Sequence, residues 1–513
     1  MAHPRAAASD QVPRGRWVLA AAILGSSLVF IDGTMVNVAL SALETDLHAT
    51  VVGVAWVVEA YALFLSALLL VGGALGDFYG RRKVFALGML LFAGGSACCG
   101  LSPDLTTLVA ARAVQGVGGA LLTPGSLALI SATFPEHERG RAIGTWSGAS
   151  GVAAAIGPVL GGWFIDRFSW RWAFFINLPL SVIALAILFA RVPESRNEER
   201  RGRLDLWGAA LVTLGLFGLV FGLLESSRLG LLAPRVLLGL VGGALTLLAF
   251  VLVEARRKAP MLPLALFRSR AFAGTNLLTL LLYGALSGAL FFLPMNLIQL
   301  QGYGATEAGA AFLPFVAIVF VLSRWAGGLV ERYGARRPLM IGPSIAACGF
   351  ATLACPGLGG SYWLTYFPGV SVLGLGMAVT IAPLTTTVMN AVDERRAGLA
   401  SGVNNAVSRT AGLIAVAALG IVFYRVFANS LDDALSAIHP PSALREAIGQ
   451  QRMRLAAIEL PSGATPTERA PLEHAIKLAF LRGFRVVTLI AAALALISGL
   501  CAAVWLRPAT TSR

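Results

Sequence analysis

Lysine is almost missing from this 513-residue chain: Lys83, Lys258 and Lys477 are all it has. A phosphate-cradling Walker A loop needs Gly-Lys-Ser/Thr, and none of the three follows a glycine. The chain therefore cannot power itself with ATP. Histidine and cysteine are also scarce, with five of each. The histidines scatter outside the apolar segments, and neither HExxH nor GxSxG occurs. An intramembrane enzyme is poorly supported, and no catalytic residue is assigned. Cys98, Cys99, Cys348, Cys355 and Cys501 all sit in apolar segments and form neither a disulfide framework nor a metal spacing. No metal and no cofactor is expected. Charge is scarce too: 13% of residues are charged, where soluble domains run near roughly 25%.

What is present is apolar, at 57% hydrophobic residues, and it falls in blocks of about 20, the length that spans a ~30 Å hydrocarbon core. Fourteen candidate spans follow one another between residues 17 and 506. The fold class is an all-α polytopic membrane protein. The net charge of +14 invites nucleic acid as a partner, but its distribution excludes that. Basic residues cluster in alternate loops, among them "GRRK" (80–83), "RNEERRGR" (196–203) and "RYGARR" (332–337), while "ETDLHAT" (44–50) and "SPDL" (102–105) lack them. This positive-inside pattern puts the basic loops and both termini in the cytoplasm, in a multi-pass inner (plasma) membrane protein whose first partner is the lipid bilayer. The run after Arg14 and Arg16 reaches Asp32 without a cleavage site and reads as the first retained span.

"GALGDFYGRRK" (73–83) has a counterpart in "GLVERYGARR" (328–337). Aligning the Tyr-Gly pairs sets Gly73 over Gly327, Asp77 over Glu331, Arg82 over Arg336 and Lys83 over Arg337, an offset of 254 residues (327 − 73). Such a repeat is the trace of a duplicated transporter fold. Six spans with loops need roughly 200 residues, so the excess fits two inserted helices. The chain divides into an N-terminal six-helix bundle (1–191), two inserted helices with basic linkers (192–271) and a C-terminal six-helix bundle (272–513). The last includes a long extracytoplasmic loop at 428–482, read as a solvated loop or a small folded appendage.

Ionisable residues inside spans are functional candidates. Asp32, Glu59, Arg112, Arg324 and Arg409 are those here. A carboxylate poised between burial and a nearby guanidinium can take up and release a proton. Arg112 will not deprotonate, so it serves as a fixed charge. The plainer alternatives are a structural ion pair for Arg112, a helix–helix hydrogen bond through Thr34 and Asn37 for Asp32, a solvated outer position for Glu59, and snorkelling for Arg324 and Arg409. In "GASGVAAAIGPVLGGWF" (148–164), Pro158 interrupts a span among Gly151, Gly157, Gly161 and Gly162. Removing side chains there leaves a smooth surface suited to rocking against a neighbouring helix. Asn37, Gln115, Trp146 and Asn404 are further candidates for lining a cavity. Phe64, Phe291 and Phe292 offer stacking surface or simple packing.

These stretches resemble the fourteen-span drug:proton antiporter family of the major facilitator superfamily. "GALGDFYGRRK" matches its loop 2–3 motif, "LVAARAVQGVGGA" its span 4 motif and "GVAAAIGPVLGG" its span 5 antiporter motif. "FIDGTMVNVAL" and "WRWAFFINLPL" match further signatures of that branch. The resemblance implies a major facilitator fold of 14 helices (6+2+6) and a proton-coupled antiporter that exports amphipathic or aromatic small molecules, driven by the proton gradient without a cofactor. It implies that Gly73, Asp77, Gly80, Arg81 and Arg82 belong to a cytoplasmic gate. It also implies that Arg112 assists proton transfer, and that Asp32 binds a proton or cationic substrate from a water-accessible cavity. Some relatives carry acidic residues in late spans where this chain has Asn404, Asn405 and Arg409, a departure that argues against export of dications. Rival readings are narrow export of one endogenous metabolite, such as an antibiotic or siderophore, and proton-coupled nutrient import. A periplasmic adaptor protein accompanies some relatives, but nothing in the sequence specifies one.

Overall fold

The computed structural model describes residues 5–134, 136–195, 205–257, 260, 262–392, 397–461 and 465–506. Among these there is no strand, and fourteen helices of 15 residues or more carry the fold. They are α1 (Arg5–Asp46), α2 (Val51–Tyr79), α3 (Arg81–Leu101), α4 (Leu105–Thr133), α5 (Glu136–Arg167), α6 (Asn177–Arg191) and α7 (Leu206–Leu229). Then come α8 (Pro234–Arg256), α9 (Arg270–Met295), α10 (Leu313–Gly327), α11 (Arg336–Leu353), α12 (Tyr362–Asn390), α13 (Ala397–Ile438) and α14 (Pro466–Trp505). Thirteen of them, taken with adjoining turns, are long and apolar enough to cross a bilayer. The exception is α11, which nevertheless packs against α12 and α14 and so takes the place of the remaining candidate span.

Local sequence sets the helix ends. Thr50, Asp104 and Asp205 each accept the backbone N–H three residues on, capping α2, α4 and α7. Thr465 and Glu468 form a reciprocal capping box ahead of α14. The internal repeat is a repeated corner: α2 ends at Tyr79 and turns through Gly80 at φ +109°, and Leu329–Tyr333 ends in the same way and turns through Gly334 at φ +72°. Both glycines adopt a conformation that side-chain-bearing residues avoid.

In the first half α2 packs against α4, α3 against α4 and α1 against α5; in the second, α9 against α14, α11 against α12 and α10 against α12. Between them α7 and α8 pack backbone to backbone, Gly218 meeting Gly243 at 2.9 Å from where a Cβ would sit. α7 also reaches α2, where the Trp56 and Phe217 rings lie 5.8 Å apart, and α13. One end of the molecule gathers the basic corners. There the Arg191 guanidinium lies 5.6 Å from the Trp17 ring, and Gly15 abuts Phe134.

At the other end the expected loop at 428–482 is mostly helix. α13 continues to Ile438 because Phe427, Leu431 and Leu435 keep a fully buried stripe at four-residue spacing. Between α13 and α14, helix Ser442–Gln450 and a 3₁₀ turn at Arg452–Ala457 fold back over the bundle. Leu444, Ile448 and Leu455 are buried, and Arg452 pairs with Asp432 of α13. Leu455 closes an apolar cleft with Val51 and Val52 of α2 and Phe292 of α9.

Candidate functional site

Asp32 sits two-thirds of the way along α1 and is fully buried. α4 presents Arg112 and Gln115 one turn apart on one face, and both reach it. Arg112 donates through its Nη1 to Asp32 Oδ2 at 2.5 Å, and Gln115 donates through Nε2 to Oδ1 at 2.8 Å. Asn177, at the start of α6, adds a third donor to Oδ1 at 3.2 Å. Arg112 is anchored in turn. Its Nε donates to Val57 O at 2.9 Å, its Nη1 also reaches Gln115 Oε1 at 2.7 Å, and its guanidinium lies 4.2 Å from the Tyr61 ring. Behind Asn177, its amide donates to Ser96 Oγ at 2.9 Å, and Ser96 donates to Phe174 O at 2.8 Å. Helices α1, α4 and α6 therefore meet at one carboxylate, with α2 and α3 holding its partners from behind.

The pair departs from expectation in one respect. Asp32 does not face a water-accessible cavity in this conformation; its charge is balanced by Arg112 and by amide donors. Burying two charges is costly unless geometry and further hydrogen bonds compensate, and here both partners have them. The helix–helix bond through Thr34 and Asn37 is absent as well, since Thr34 donates to Phe30 O and Ile31 O, and Asn37 donates to Gly33 O at 3.3 Å, all in the same helix. Asn177 and Ser96 were not singled out from the sequence. Asn177 lies within "WRWAFFINLPL", and an asparagine in so apolar a stretch was the available signal.

The remaining candidates are dispersed. Glu59 is 1% exposed, which removes the solvated reading, and neither of its carboxylate oxygens has a partner. Trp146 donates to Ser26 Oγ at 2.9 Å, and Ser26 bonds to Ser126 at 2.7 Å, away from Asp32. Asn404 serves the second half, donating to Asn276 Oδ1 at 3.1 Å and Thr279 Oγ1 at 2.7 Å. Phe291 and Phe292 are core residues, Phe292 stacking on Phe423 at 4.3 Å. Phe64 packs over Gly116. Arg409 is half-buried, near enough to Tyr61 for its charge to act on the phenol. The Arg324 side chain lies outside the described residues.

At the basic corner the Asp77 side chain is likewise outside the described residues, and Gly73 packs on Pro124. The backbone N–H groups of Arg82 and Lys83 donate to the Glu194 carboxylate at 2.9 and 3.2 Å, and Arg82 Nη1 donates to Val192 O at 3.0 Å. Arg81 N–H donates to Ser195 O at 2.8 Å. Gly80 has no room for a Cβ, which would lie 2.8 Å from Glu194. Glu194, unremarked in the sequence, is the hub of this corner, and every one of these contacts lies within residues 73–195.

Contact between the halves concentrates at the opposite end. Gly157 and Gly161 of α5 abut Ile31 and Met35 of α1, whereas Gly162 meets the backbone of Ala305. Gly309, on the short helix Ala305–Ala310 that leads into α10, meets Pro158. Asp166 clasps the same helix, accepting from Ala305 N at 3.1 Å, Thr306 N at 2.8 Å and Thr306 Oγ1 at 2.5 Å. Gly151 has open space around it. Four of the five antiporter-motif positions thus line α5 where it is pressed between α1 and the second half.

A polytopic helical bundle with a duplicated corner, a buried ion pair in one half and a closed seam between halves is the architecture of a membrane transporter. The chain belongs to the major facilitator superfamily, whose description matches residues 22–416. It is 33% identical to the multidrug resistance protein Stp of Mycobacterium tuberculosis (strain CDC 1551 / Oshkosh), over 92% of this chain and 88% of that one. It is 31% identical to the tetracenomycin C resistance and export protein of Streptomyces glaucescens, over 94% and 91%. It is 36% identical to the puromycin resistance protein of Streptomyces alboniger, over 81% and 83%. Among solved structures, a bacterial homologue of the human lysosomal transporter Spinster, in an inward-facing and occupied conformation, superposes with TM-score 0.63 at 16% identity, over 95% of this chain and 97% of that one. A D-xylose–proton symporter superposes at 0.59 and 16% identity, over 96% and 98%. These two likenesses speak to the fold alone.

Proposed function

We propose that this protein is a proton-coupled antiporter that exports amphipathic or aromatic small molecules across the inner membrane by alternating access. The observation that carries the proposal is the Asp32–Arg112–Gln115–Asn177 network. Asp32 Oδ1 already accepts two hydrogen bonds and Oδ2 one from Arg112, so a proton arriving on Oδ2 competes with Arg112 for that oxygen. A neutral Asp32 leaves Arg112 a buried cation without its counter-ion, and Arg112 then favours substrate oxygens or water. Proton occupancy is in this way converted into a change of contact among α1, α4 and α6. Glu59, buried and unpartnered, is the second titratable group of the pathway.

Direction and substrate class draw on the relatives. Their names are those of multidrug resistance, tetracenomycin C export and puromycin resistance proteins. The basic corner faces the cytoplasm by the positive-inside rule, so the closed seam between the halves faces outward. Gly73, Asp77, Gly80, Arg81 and Arg82 close the cytoplasmic side in the alternate state. A relative named for one compound, tetracenomycin C, keeps narrow export of a single metabolite as the second reading.

Inverted vesicles with an acid interior and a pH-sensitive dye test this. Cationic, neutral and anionic aromatic amphiphiles are added in turn. Several are expected to release protons from the lumen, with no response in vesicles lacking the protein. A response to one compound alone supports the narrow exporter. Proton uptake together with substrate, in the same direction, identifies a symporter and removes the proposal.

A further inference from the structure

Glu44 occupies the last turn of α1 at the outer seam and is fully buried. Its Oε2 accepts a hydrogen bond of 2.9 Å from Nε2 of Gln299, which lies in the single π-turn Asn296–Leu300 that ends α9. This is a side-chain bond between the two halves of the molecule. It is incomplete: Glu44 Oε1 and Gln299 Oε1 are both buried without a partner. Two orphaned acceptors on the two members of one hydrogen-bonded pair lack a single shared donor. A proton on the carboxyl supplies it, because a carboxylic acid and a primary amide each donate once and accept once. An ionised Glu44 leaves both oxygens desolvated and unsatisfied, which is the costly arrangement for buried polar groups.

The neighbouring charges do not supply that donor. Asp46 is held by Trp170 Nε1 at 2.8 Å and by Arg171 at 3.1 Å, and His48 is exposed. Arg454, on the 3₁₀ turn that folds over the seam, is close enough to act on Glu44 through space, but its guanidinium bonds to Glu459 and Gln451, each at 3.0 Å. Asp166 of α5 is taken up by Ala305 and Thr306, and Glu307 accepts from Gly304 N at 3.0 Å. Glu59, about two turns into α2 from its outer end, is without a partner of its own.

We infer that Glu44 and Gln299 form a proton-operated latch of the outer gate, which closes on the protonated carboxyl and releases when Glu44 ionises. The sequence of events is balanced. With the outer end open, Glu44 is hydrated and takes one proton from the extracytoplasmic solution. On closure the new O–H donates to Gln299 Oε1 while Gln299 Nε2 donates to the other carboxyl oxygen. Reopening returns the proton to the same side or passes it inward. Because the closed state binds the proton more tightly, closure is favoured as pH falls. One proton allows at most about a tenfold change in the closed-to-open ratio per pH unit. The latch rests on the alternating-access reading above, but its test needs neither substrate nor transport.

Spin labels are placed at Thr106→Cys, at the start of α4, and Leu364→Cys, at the start of α12, with Cys98, Cys348, Cys355 and Cys501 replaced by serine. Both label sites are exposed at the outer end. The full-length protein in lipid nanodiscs is measured from mildly acid to mildly alkaline pH. In wild type the short separation is expected to give way to the long one as pH rises, by up to about tenfold per unit. Glu44→Gln, whose amide mimics the neutral acid, is expected to hold the short separation at every pH. Glu44→Ala is expected to show a distribution that does not move with pH, and it decides the matter if Glu44→Gln fails to fold. A wild-type pH response that survives in either variant, or a wild type with no response, overturns the latch. Failure of the vesicle experiment with an intact latch response would remove the antiporter reading and leave the latch standing.

Discussion

Replacing Arg112 with alanine is expected to reduce substrate-driven proton release to background and to destabilise the first half of the molecule by about 3–5 kcal/mol, the usual cost of breaking a buried pair. The reason lies in what remains. Asp32 keeps its place with Gln115 and Asn177 but loses its counter-ion, in a fully buried site. Val57 O and Gln115 Oε1 each lose one donor at the same time. Arg112→Lys retains the charge but not the planar fork that serves Val57, Asp32 and Gln115 together, so it should recover part of the stability and little of the transport. Thermal unfolding in detergent beside dye-reported transport separates the two effects. An alanine variant that unfolds at the wild-type temperature would show that the pair is not holding the helices.

The second large effect is steric. A valine at Gly309 has to enter the backbone of Pro158, and a leucine at Gly162 the backbone of Ala305 and Thr306. Overpacking costs typically about 1–3 kcal/mol. Applied to the closed seam alone, that shifts the open-to-closed ratio by about 5- to 150-fold toward the outward-open state. Transport is expected to fall in proportion, while the fold survives because the open seam has room. Gly151→Val is the internal control, since nothing lies within 4 Å of its added Cβ. Label separations across the outer end report the shift directly. Equal loss of transport in the Gly151 and Gly309 variants would mean that the motif acts through helix flexibility rather than through the seam.

Much of this was legible in the sequence. The helices follow from apolar runs of spanning length, and the duplicated corner from the aligned Tyr79-Gly80 and Tyr333-Gly334. The ionisable residues Asp32 and Arg112 announce themselves because a charge in an apolar span is rare. Their pairing does not, since it depends on how α1 and α4 are rotated about their axes, across 80 residues of sequence. Asn177 and Ser96 escaped notice because neutral polar residues in a span carry only a small insertion penalty. Glu44 was hidden differently: the run "ETDLHAT" reads as a polar loop, yet α1 continues to Asp46 and turns Glu44 inward against Gln299. Similarly, the polar residues after 428 mask the Phe427, Leu431 and Leu435 stripe that extends α13 past the expected span.

The most direct test of the central claim compares two activities of Asp32→Asn in the same proteoliposomes. One is accumulation of a responsive amphiphile driven by an imposed proton gradient. The other is exchange of labelled for unlabelled substrate with no gradient, which needs alternating access but no net proton movement. Asparagine keeps the shape of Asp32 and its acceptor oxygen, but it cannot carry the exchangeable proton. Exchange is expected to persist in Asp32→Asn while gradient-driven accumulation is lost. Gradient-driven accumulation at the wild-type rate in Asp32→Asn would contradict that claim, and would move the coupling proton to another carboxylate.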